Sequence, residues 1–180
     1  MSSFGPKDRP PLQPAPLIAA LDAYAVRWVM CGSAVLSLHG ADIIPNDLDV
    51  VPDLSEDNLR RLADCLKHLN AVAAYLDGWG GARGTLEACA NWRPDPPDAD
   101  NLDWLFVTAF GPLDIVIAHA DPYASLMQGA AQHVAEGVSY WVCDPRRVLK
   151  ALEPRNRTKD KARAAIYQQM RQRFGMPPID

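Results

Sequence analysis

The sequence lacks any long apolar run. No stretch of about 18 consecutive apolar residues, the length that a membrane-spanning helix needs, occurs in the chain. The amino terminus is polar and proline-rich, whereas a secretion signal needs a basic stretch followed by an apolar one. We therefore expect a cytoplasmic protein without a membrane partner.

Cysteines are few, and none of them forms a CxxC pair. The four cysteines lie far apart and mostly within apolar runs, at Cys31, Cys65, Cys89 and Cys143. A zinc cage or a disulfide framework needs characteristic cysteine spacings, so neither is indicated. We expect reduced cysteines in the core.

The composition is that of an ordinary soluble domain. Hydrophobic residues make up 48% of the 180-residue chain and charged residues 22%, which excludes a disordered or collagen-like protein. Prolines crowd the amino terminus, so we expect a flexible proline-rich arm over residues 1–16. A single domain is expected over residues 17–180, and no internal repeat is present.

Charge is distributed unevenly along the chain. The net charge of -4 argues against a protein that coats nucleic acid by charge alone. Residues 1–145 carry 8 Lys and Arg against 19 Asp and Glu, whereas residues 146–173 carry 10 against 2. The sequence predicts an acidic body and a basic helical C-terminal segment, residues 144–174, which we expect to face the site and hold an anionic substrate.

Apolar runs and hydrophobic periodicity predict intermixed strands and helices. The predicted strands cover residues 26–31, 47–51, 102–110, 113–118 and 138–143, and residues 85–90 also have strand character. The predicted helices begin after the arm and then cover residues 34–39, 55–76, 122–136, 144–152 and 158–174. This mixture predicts an α/β or α+β class, with a mixed β-sheet flanked by helices and with C-terminal helices.

Two acids stand on either side of Leu48 in the second predicted strand. Side chains alternate along a strand, so Asp47 and Asp49 point to the same face, about 7 Å apart. A divalent cation would offset the repulsion between two such carboxylates, and Mg²⁺ prefers carboxylates and phosphates as ligands. The alternative is a pair of solvent-facing acids at a strand end.

A glycine turn and a third acid strengthen the case for a site. Gly32 and Ser33 lie where a strand turns into a helix, an arrangement that suits a phosphate but is also met in an ordinary strand-helix turn. Asp114 lies in an apolar strand, where its charge needs a partner. A metal shared with Asp47 and Asp49 would be one partner, and backbone N–H groups at the end of a hairpin would be another.

These motifs resemble the signature of the nucleotidyltransferase superfamily related to DNA polymerase β. The order is Gly32-Ser33, then Asp47-Leu-Asp49, then Asp114 on a neighbouring strand. Three blocks are similar to those of a small bacterial group that includes abortive-infection nucleotidyltransferase toxins: Gly32-Ser-Ala-x-x-x-x-His39-Gly, the stretch 108–114 and Arg157-Thr-Lys-Asp. The chain departs from that group's pattern at three positions, Ile43, Pro45 and Leu152.

The resemblance implies that a nucleoside monophosphate moves from a nucleoside triphosphate such as ATP to an acceptor hydroxyl, with two Mg²⁺ ions and release of pyrophosphate. It implies that Asp47, Asp49 and Asp114 are the catalytic and metal-binding residues, and that Asp114 also takes the proton of the hydroxyl. The nucleotide-binding residues would be Gly32, Ser33 and Lys159, and substrate contacts are predicted for His39, Arg83, Lys150 and Arg157. For these last four, a packed histidine or solvated cations are the alternative.

Three hypotheses about the function follow. In the first, the acceptor is RNA, such as tRNA, in a toxin-like role, with an antitoxin protein as a partner. In the second, the acceptor is a small hydroxylated antibiotic of the aminoglycoside or lincosamide type, whose cationic members an acidic body would attract. In the third, the fold is an inactive binding or antitoxin-like module, against which the retention of all three acids argues.

Overall fold

The structure is a computed structural model that describes residues 9–78, 83–119, 121–153 and 157–178. Within these ranges the strands are β1 (Trp28–Cys31), β2 (Leu48–Pro52), β3 (Val72–Ala73), β4 (Leu105–Thr108), β5 (Gly111–Ile115), β6 (Ala131–Ala135) and β7 (Val138–Val142). The helices are α1 (Pro14–Ala23), α2 (Gly32–Leu38), α3 (Glu56–His68), α4 (Leu86–Asn91), α5 (Ala99–Leu102), α6 (Tyr123–Leu126), α7 (Pro145–Leu152), α8 (Thr158–Ala162) and α9 (Ala164–Arg173). None of the helices in these ranges combines the length and apolar character needed to cross a bilayer.

The strands form one mixed sheet of seven strands in the order β3-β4-β5-β2-β1-β7-β6. Strand β2 lies antiparallel to β1 and parallel to β5. Strands β1, β2, β4 and β5 are almost entirely buried, because they have a neighbouring strand on each side and helices pack against the sheet. Leucines of α1 and α3 are fully buried in the same core, and each such burial contributes about 1.5–3 kcal/mol. All four cysteines are buried and unpaired, as predicted.

The predicted hairpin between residues 102–110 and 113–118 is confirmed, one predicted helix ends early and another is divided in two. Strands β4 and β5 pair antiparallel. The turn between them lies at residues 109–110, two residues earlier than predicted, because Gly111 and Pro112 belong to β5. The helix predicted over 55–76 ends at His68, because Asn70 takes a left-handed conformation with φ 48 and the chain then enters β3. The helix predicted over 158–174 divides at Arg163 into α8 and α9.

Two other predictions of secondary structure are wrong. Residues 85–90 are mostly helical rather than extended, because the Thr85 side chain caps α4 by accepting a hydrogen bond from the N–H of Ala88 at 3.1 Å. The helix predicted over 122–136 is a single helical turn, α6, followed by the edge strand β6. Glu136 and Gly137 both have positive φ, 49 and 85, and this two-residue turn pairs β6 with β7 as a hairpin.

The described part of the predicted arm is docked on the domain. Residues 1–8 lie outside the described residues, and α1 begins at Pro14, inside the stretch that the sequence predicts as an arm. The backbone N–H of Gln13 donates to the carbonyl of Phe110 at 2.8 Å, next to the β4–β5 turn. The chain before α1 is therefore attached to the hairpin that carries Asp114.

Candidate active site

Asp49 and Asp114 face each other across two parallel strands. Strands β2 and β5 pair so that Leu48 lies opposite Leu113 and Asp49 lies opposite Asp114. Neighbouring strands are about 4.8 Å apart, and residues at one register share a face of the sheet. The leucines are fully buried, while both aspartates are half-buried. The backbone ladder thus brings two carboxylates from distant parts of the sequence to one place.

Gly32 forms the floor beneath the Asp49 carboxylate. It follows β1 with φ +70, and a Cβ on this residue would lie 1.8 Å from Oδ2 of Asp49. Any side chain would therefore overlap the carboxylate, and the positive φ would add strain. Glycine is required here for both reasons.

These residues line one cleft with a volume of about 660 Å³, within the size range of small-molecule sites. Six of the predicted site residues lie in its wall: Gly32, Asp47, Asp49, Asp114, Arg157 and Lys159. Further lining residues that sequence reasoning did not assign to the site include Arg9, Asp103, Trp104 and His119. The structure thus brings the three acids and two cations together, and their chemical roles stay predictions.

Arg157 is held in the cleft by a buried carboxylate. Its guanidinium donates to both oxygens of Asp160, at 2.6 and 3.1 Å, and Tyr167 donates to the same carboxylate at 3.4 Å. The hydrogen bond to Asp160 raises the pKa of Arg157, and the charge of Asp49 acts in the same direction. Burial acts to raise the pKa of Asp160, but the hydrogen bond and charge of Arg157 outweigh burial and leave that pKa lowered.

His39 and Arg83, two of the predicted substrate contacts, bind other parts of the protein. The Nδ1 atom of His39 hydrogen-bonds to the carbonyl of Val35 at 2.8 Å, and the ring packs edge-on against Phe174. Arg83 is only 9% exposed, and it donates to the carbonyls of Asp100, Asn101 and Asp103 at the end of α5 while lying over the ring of Trp104. Both residues therefore make structural contacts, and neither belongs to the described lining of the cleft.

Ser33 and Lys150 also lie outside the described lining of the cleft. Ser33 follows Gly32 in the first turn of α2, and Lys150 is exposed on α7. In α7 the neighbours Ala151 and Leu152 reach the cleft instead. A nucleotide contact from either Ser33 or Lys150 stays a prediction.

Sequence reasoning missed Arg9. The docked chain before α1 carries this residue into the cleft beside Asp47, Asp49 and Asp114. Burial lowers the pKa of Arg9, and the charges of Asp47 and Asp114 oppose that effect. No local pattern in a proline-rich arm could have shown this, because the contact depends on where the arm docks.

The donor set of the cleft fits a divalent cation in the kind of ligand that it offers. Mg²⁺ takes hard oxygen ligands, and three aspartates from the ends of two adjacent strands supply them. Across the described ranges, no three His, Cys, Asp or Glu side chains converge closely enough to hold a metal ion. Asp47, Asp49 and Asp114 are the residues that would hold one after side-chain adjustment.

No family model and no curated protein sequence matches this chain. Its structure is similar to the crystal structure of ANT(2'')-Ia in complex with adenylyl-2''-tobramycin, with a TM-score of 0.50 and 13% identity over 86% of this chain and 84% of that chain. The chain has a nucleotidyltransferase fold. This fold confirms the mixed α/β architecture, with a β-sheet flanked by helices, that the sequence predicts.

Two further structures are similar over most of their length. A solution structure of ANT(2'')-Ia matches with a TM-score of 0.47 and 12% identity, covering 88% of this chain and 89% of that one. A crystal structure of a candidate nucleotidyltransferase from Thermotoga maritima matches with a TM-score of 0.47 and 11% identity, covering 89% of each chain.

Proposed function

We propose that this protein transfers a nucleoside monophosphate from a nucleoside triphosphate to an acceptor hydroxyl and releases pyrophosphate. The observation that carries the proposal is the pairing of Asp49 and Asp114 at one register above Gly32, in a cleft that also contains Arg157 and Lys159. Carboxylates that hold a cation and cations that hold phosphates are the two components that nucleotidyl transfer needs. The fold supports the same reaction.

In this proposal, different residues of the cleft bind the metal, bind the phosphates and accept the proton. Asp47, Asp49 and Asp114 would hold Mg²⁺, which when bound neutralises the triphosphate and makes the acceptor hydroxyl more acidic. Arg157 and Lys159 bind the phosphate oxygens, and Asp160 fixes the direction of the Arg157 guanidinium. Asp114 accepts the hydroxyl proton as the acceptor oxygen bonds to the α-phosphorus. The bond from that phosphorus to the pyrophosphate oxygen then breaks.

The acceptor that we propose first is the hydroxyl end of an RNA, such as tRNA, in a toxin-like role. The support is the resemblance of the sequence motifs, together with the basic residues Arg157 and Lys159 at the cleft. In that role an antitoxin protein would be the partner that restrains the activity.

A small hydroxylated cation, such as an aminoglycoside, is the second candidate acceptor. Two observations favour it: the cleft contains Asp103 in addition to the three site acids, and the fold is similar to that of ANT(2'')-Ia in complex with adenylyl-2''-tobramycin. An excess of carboxylates attracts polycationic antibiotics.

The test is the transfer of label from α-labelled nucleoside triphosphates, with Mg²⁺, to total tRNA, to an aminoglycoside panel or to the protein itself. We expect transfer to one acceptor, and a loss of about a thousandfold or more in Asp49→Asn and Asp114→Asn. Asp64→Asn, at an exposed position on α3, is the matched control and should keep full activity. Undiminished transfer in the site variants would contradict the assignment, and no transfer to any acceptor would favour the inactive binding module.

A further inference from the structure

The chain before α1 forms a strap, residues 9–13, that is fixed on the β4–β5 hairpin. Besides the hydrogen bond from Gln13 to Phe110, the strap lies so close to Gly111 that a Cβ there would be 2.7 Å from Cα of Leu12 and 2.9 Å from the carbonyl oxygen of Pro11. A glycine at position 111 therefore allows this close approach. The strap has a defined place beside the strand that carries Asp114.

The strap places the guanidinium of Arg9 in the cleft with the three acids. Its Nη2 atom donates to the carbonyl of Tyr75 at 3.4 Å, which is a long hydrogen bond, and its Nε atom is buried without a hydrogen-bond partner. Among the described residues Arg9 makes no salt bridge within contact distance. Its interaction with Asp47 and Asp114 is therefore a through-space attraction between charges.

Arg157 shows how an arginine with a permanent place in the same cleft is held. It is bound by two short hydrogen bonds to Asp160. Arg9 has no such anchor among the described residues, and a buried N–H group without an acceptor is unfavourable, so the Arg9 guanidinium is weakly held in the cleft. A guanidinium that is held near carboxylates mainly by charge attraction can be displaced by a cation of higher charge.

We propose that Arg9 is a built-in counter-cation that competes with divalent metal for Asp47 and Asp114, so that the strap must release the cleft before metal and nucleotide bind. This inference rests on the proposed function, because it assigns the competing metal to the same carboxylates. Like charges in one cleft repel, and at the effective dielectric of a protein a neighbouring unit charge lowers the affinity for a dication by about tenfold or more. The strap would thus keep the site in an inhibited state.

The test is a titration of the full-length protein with Mn²⁺ in the absence of nucleotide, in which free Mn²⁺ is measured by electron paramagnetic resonance. We expect Arg9→Gln to bind Mn²⁺ about tenfold more tightly than the wild type, and Arg9→Lys to stay within about threefold of it. Gly111→Ala, which pushes on the strap without changing a charge, should also tighten binding. Arg93→Gln, at an exposed arginine outside the described lining of the cleft, is the matched control and should bind as the wild type does.

Melting temperatures supply a second readout. In EDTA, Arg9→Gln should melt at a lower temperature than the wild type because Asp47 and Asp114 lose a counter-charge, and Mn²⁺ should reverse that difference. Equal or weaker Mn²⁺ binding by Arg9→Gln, with wild-type binding that is lost in Asp114→Asn, overturns the role of Arg9 and leaves the proposed function intact. If neither the wild type nor Arg9→Gln binds Mn²⁺ at millimolar concentration, both proposals are overturned.

Discussion

The acid-bearing strands and the basic C-terminal segment use their charges in different ways. Asp49 and Asp114 lie on central strands, where the hydrogen-bond ladder fixes both of them at one edge of a cleft. The C-terminal segment has the opposite charge, and most of its described arginines bind the protein itself. They donate to the backbone carbonyls of Phe174, Ile44 and His39 or pair with Glu153, through Arg146, Arg163, Arg173 and Arg171.

The expectation that the whole basic segment faces the site therefore holds only in part. Within the described part of the chain, Arg157 and Lys159 are the residues of the segment whose charges reach the cleft. A run of basic residues in the sequence is thus a poor guide to which side chains line a cleft. The pairing of two strands is a better guide, because it fixes which side chains are neighbours. Exposed carbonyls at helix ends attract arginines as readily as an anionic ligand does.

The largest expected loss of stability comes from adding a side chain at Gly32, beneath the Asp49 carboxylate. Gly32→Ala places a Cβ within 1.8 Å of the Asp49 carboxylate, so we expect a loss of about 3 kcal/mol or more in the free energy of unfolding. Chemical denaturation measures this loss. The control is Gly137→Ala, where φ is +85 but no atom lies within 4 Å, and where only the conformational cost of about 1 kcal/mol should remain. Equal losses at the two glycines would show that the overlap with Asp49 does not matter.

The next effect separates a structural cation from a site cation. Arg171 is buried, pairs with Glu153 and donates to the carbonyl of Pro177 at 2.7 Å. We expect Arg171→Met to lower the free energy of unfolding by about 2 kcal/mol, because the ion pair with Glu153 and the hydrogen bond to Pro177 are lost. The loss stays moderate because Glu153 is partly exposed and its carboxylate is hydrated again. The affinity of the folded variant for nucleotide, measured by fluorescence titration, should equal that of the wild type. A selective loss of nucleotide binding would instead place Arg171 in the site.

Arg157→Gln should show the reverse pattern. We expect nucleotide affinity to fall about tenfold, since a charge-assisted hydrogen bond to phosphate is lost. The free energy of unfolding should change less than in Arg171→Met, because the amide of a glutamine can still donate a hydrogen bond to the buried Asp160 carboxylate. Lys150→Gln, in the same basic segment but outside the described lining of the cleft, is the control and should change affinity less than about twofold. If the two variants lose affinity equally, the distinction between the two kinds of cation fails.

The smallest effect is a pH dependence at Asp160. Its folded-state pKa is lowered, so the stability that its ionised form contributes is complete above the unfolded pKa and is lost as the pH falls through the folded one. Between about pH 5 and about pH 2, the wild type should therefore lose more stability than Asp160→Asn does. Denaturation curves at several pH values measure the difference. Identical pH profiles would mean that the pairing with Arg157 contributes nothing to folding.

The part of the fold nearest the acids could be predicted from the sequence. The apolar run before Gly32, the alternation around Leu48 and the hairpin near Gly111 are local signals, and each predicts an element that is present, although the hairpin turn lies two residues earlier than predicted. The resemblance to the nucleotidyltransferase signature joined Gly32, Asp47, Asp49 and Asp114 into one candidate site. The parallel pairing of β2 with β5, which places Asp49 beside Asp114, is a long-range contact that the local signals do not encode.

The remainder depends on contacts that no local pattern encodes. The β6–β7 hairpin was missed because its turn is formed by Glu136, a residue that rarely takes a left-handed conformation. The helix expected to run to Leu76 ends because β4 offers a pairing partner to Val72 and Ala73. Arg9 reaches the cleft because the strap docks on a hairpin that lies far away in the sequence.

The pairing of β2 with β5 also has a consequence for how such a protein can change. The segment between them leaves the sheet after Pro52 and supplies the edge strand β3 and its neighbour β4 before it returns at Gly111. The separation of Asp49 and Asp114 is set by the strand spacing and is independent of the length of that segment. Insertions, deletions or whole replacements between α3 and β4 would therefore reshape the cleft wall at Leu76, Asp103 and Trp104 while Asp49 and Asp114 keep their separation. The pair of acids and this wall of the cleft can thus vary independently of each other.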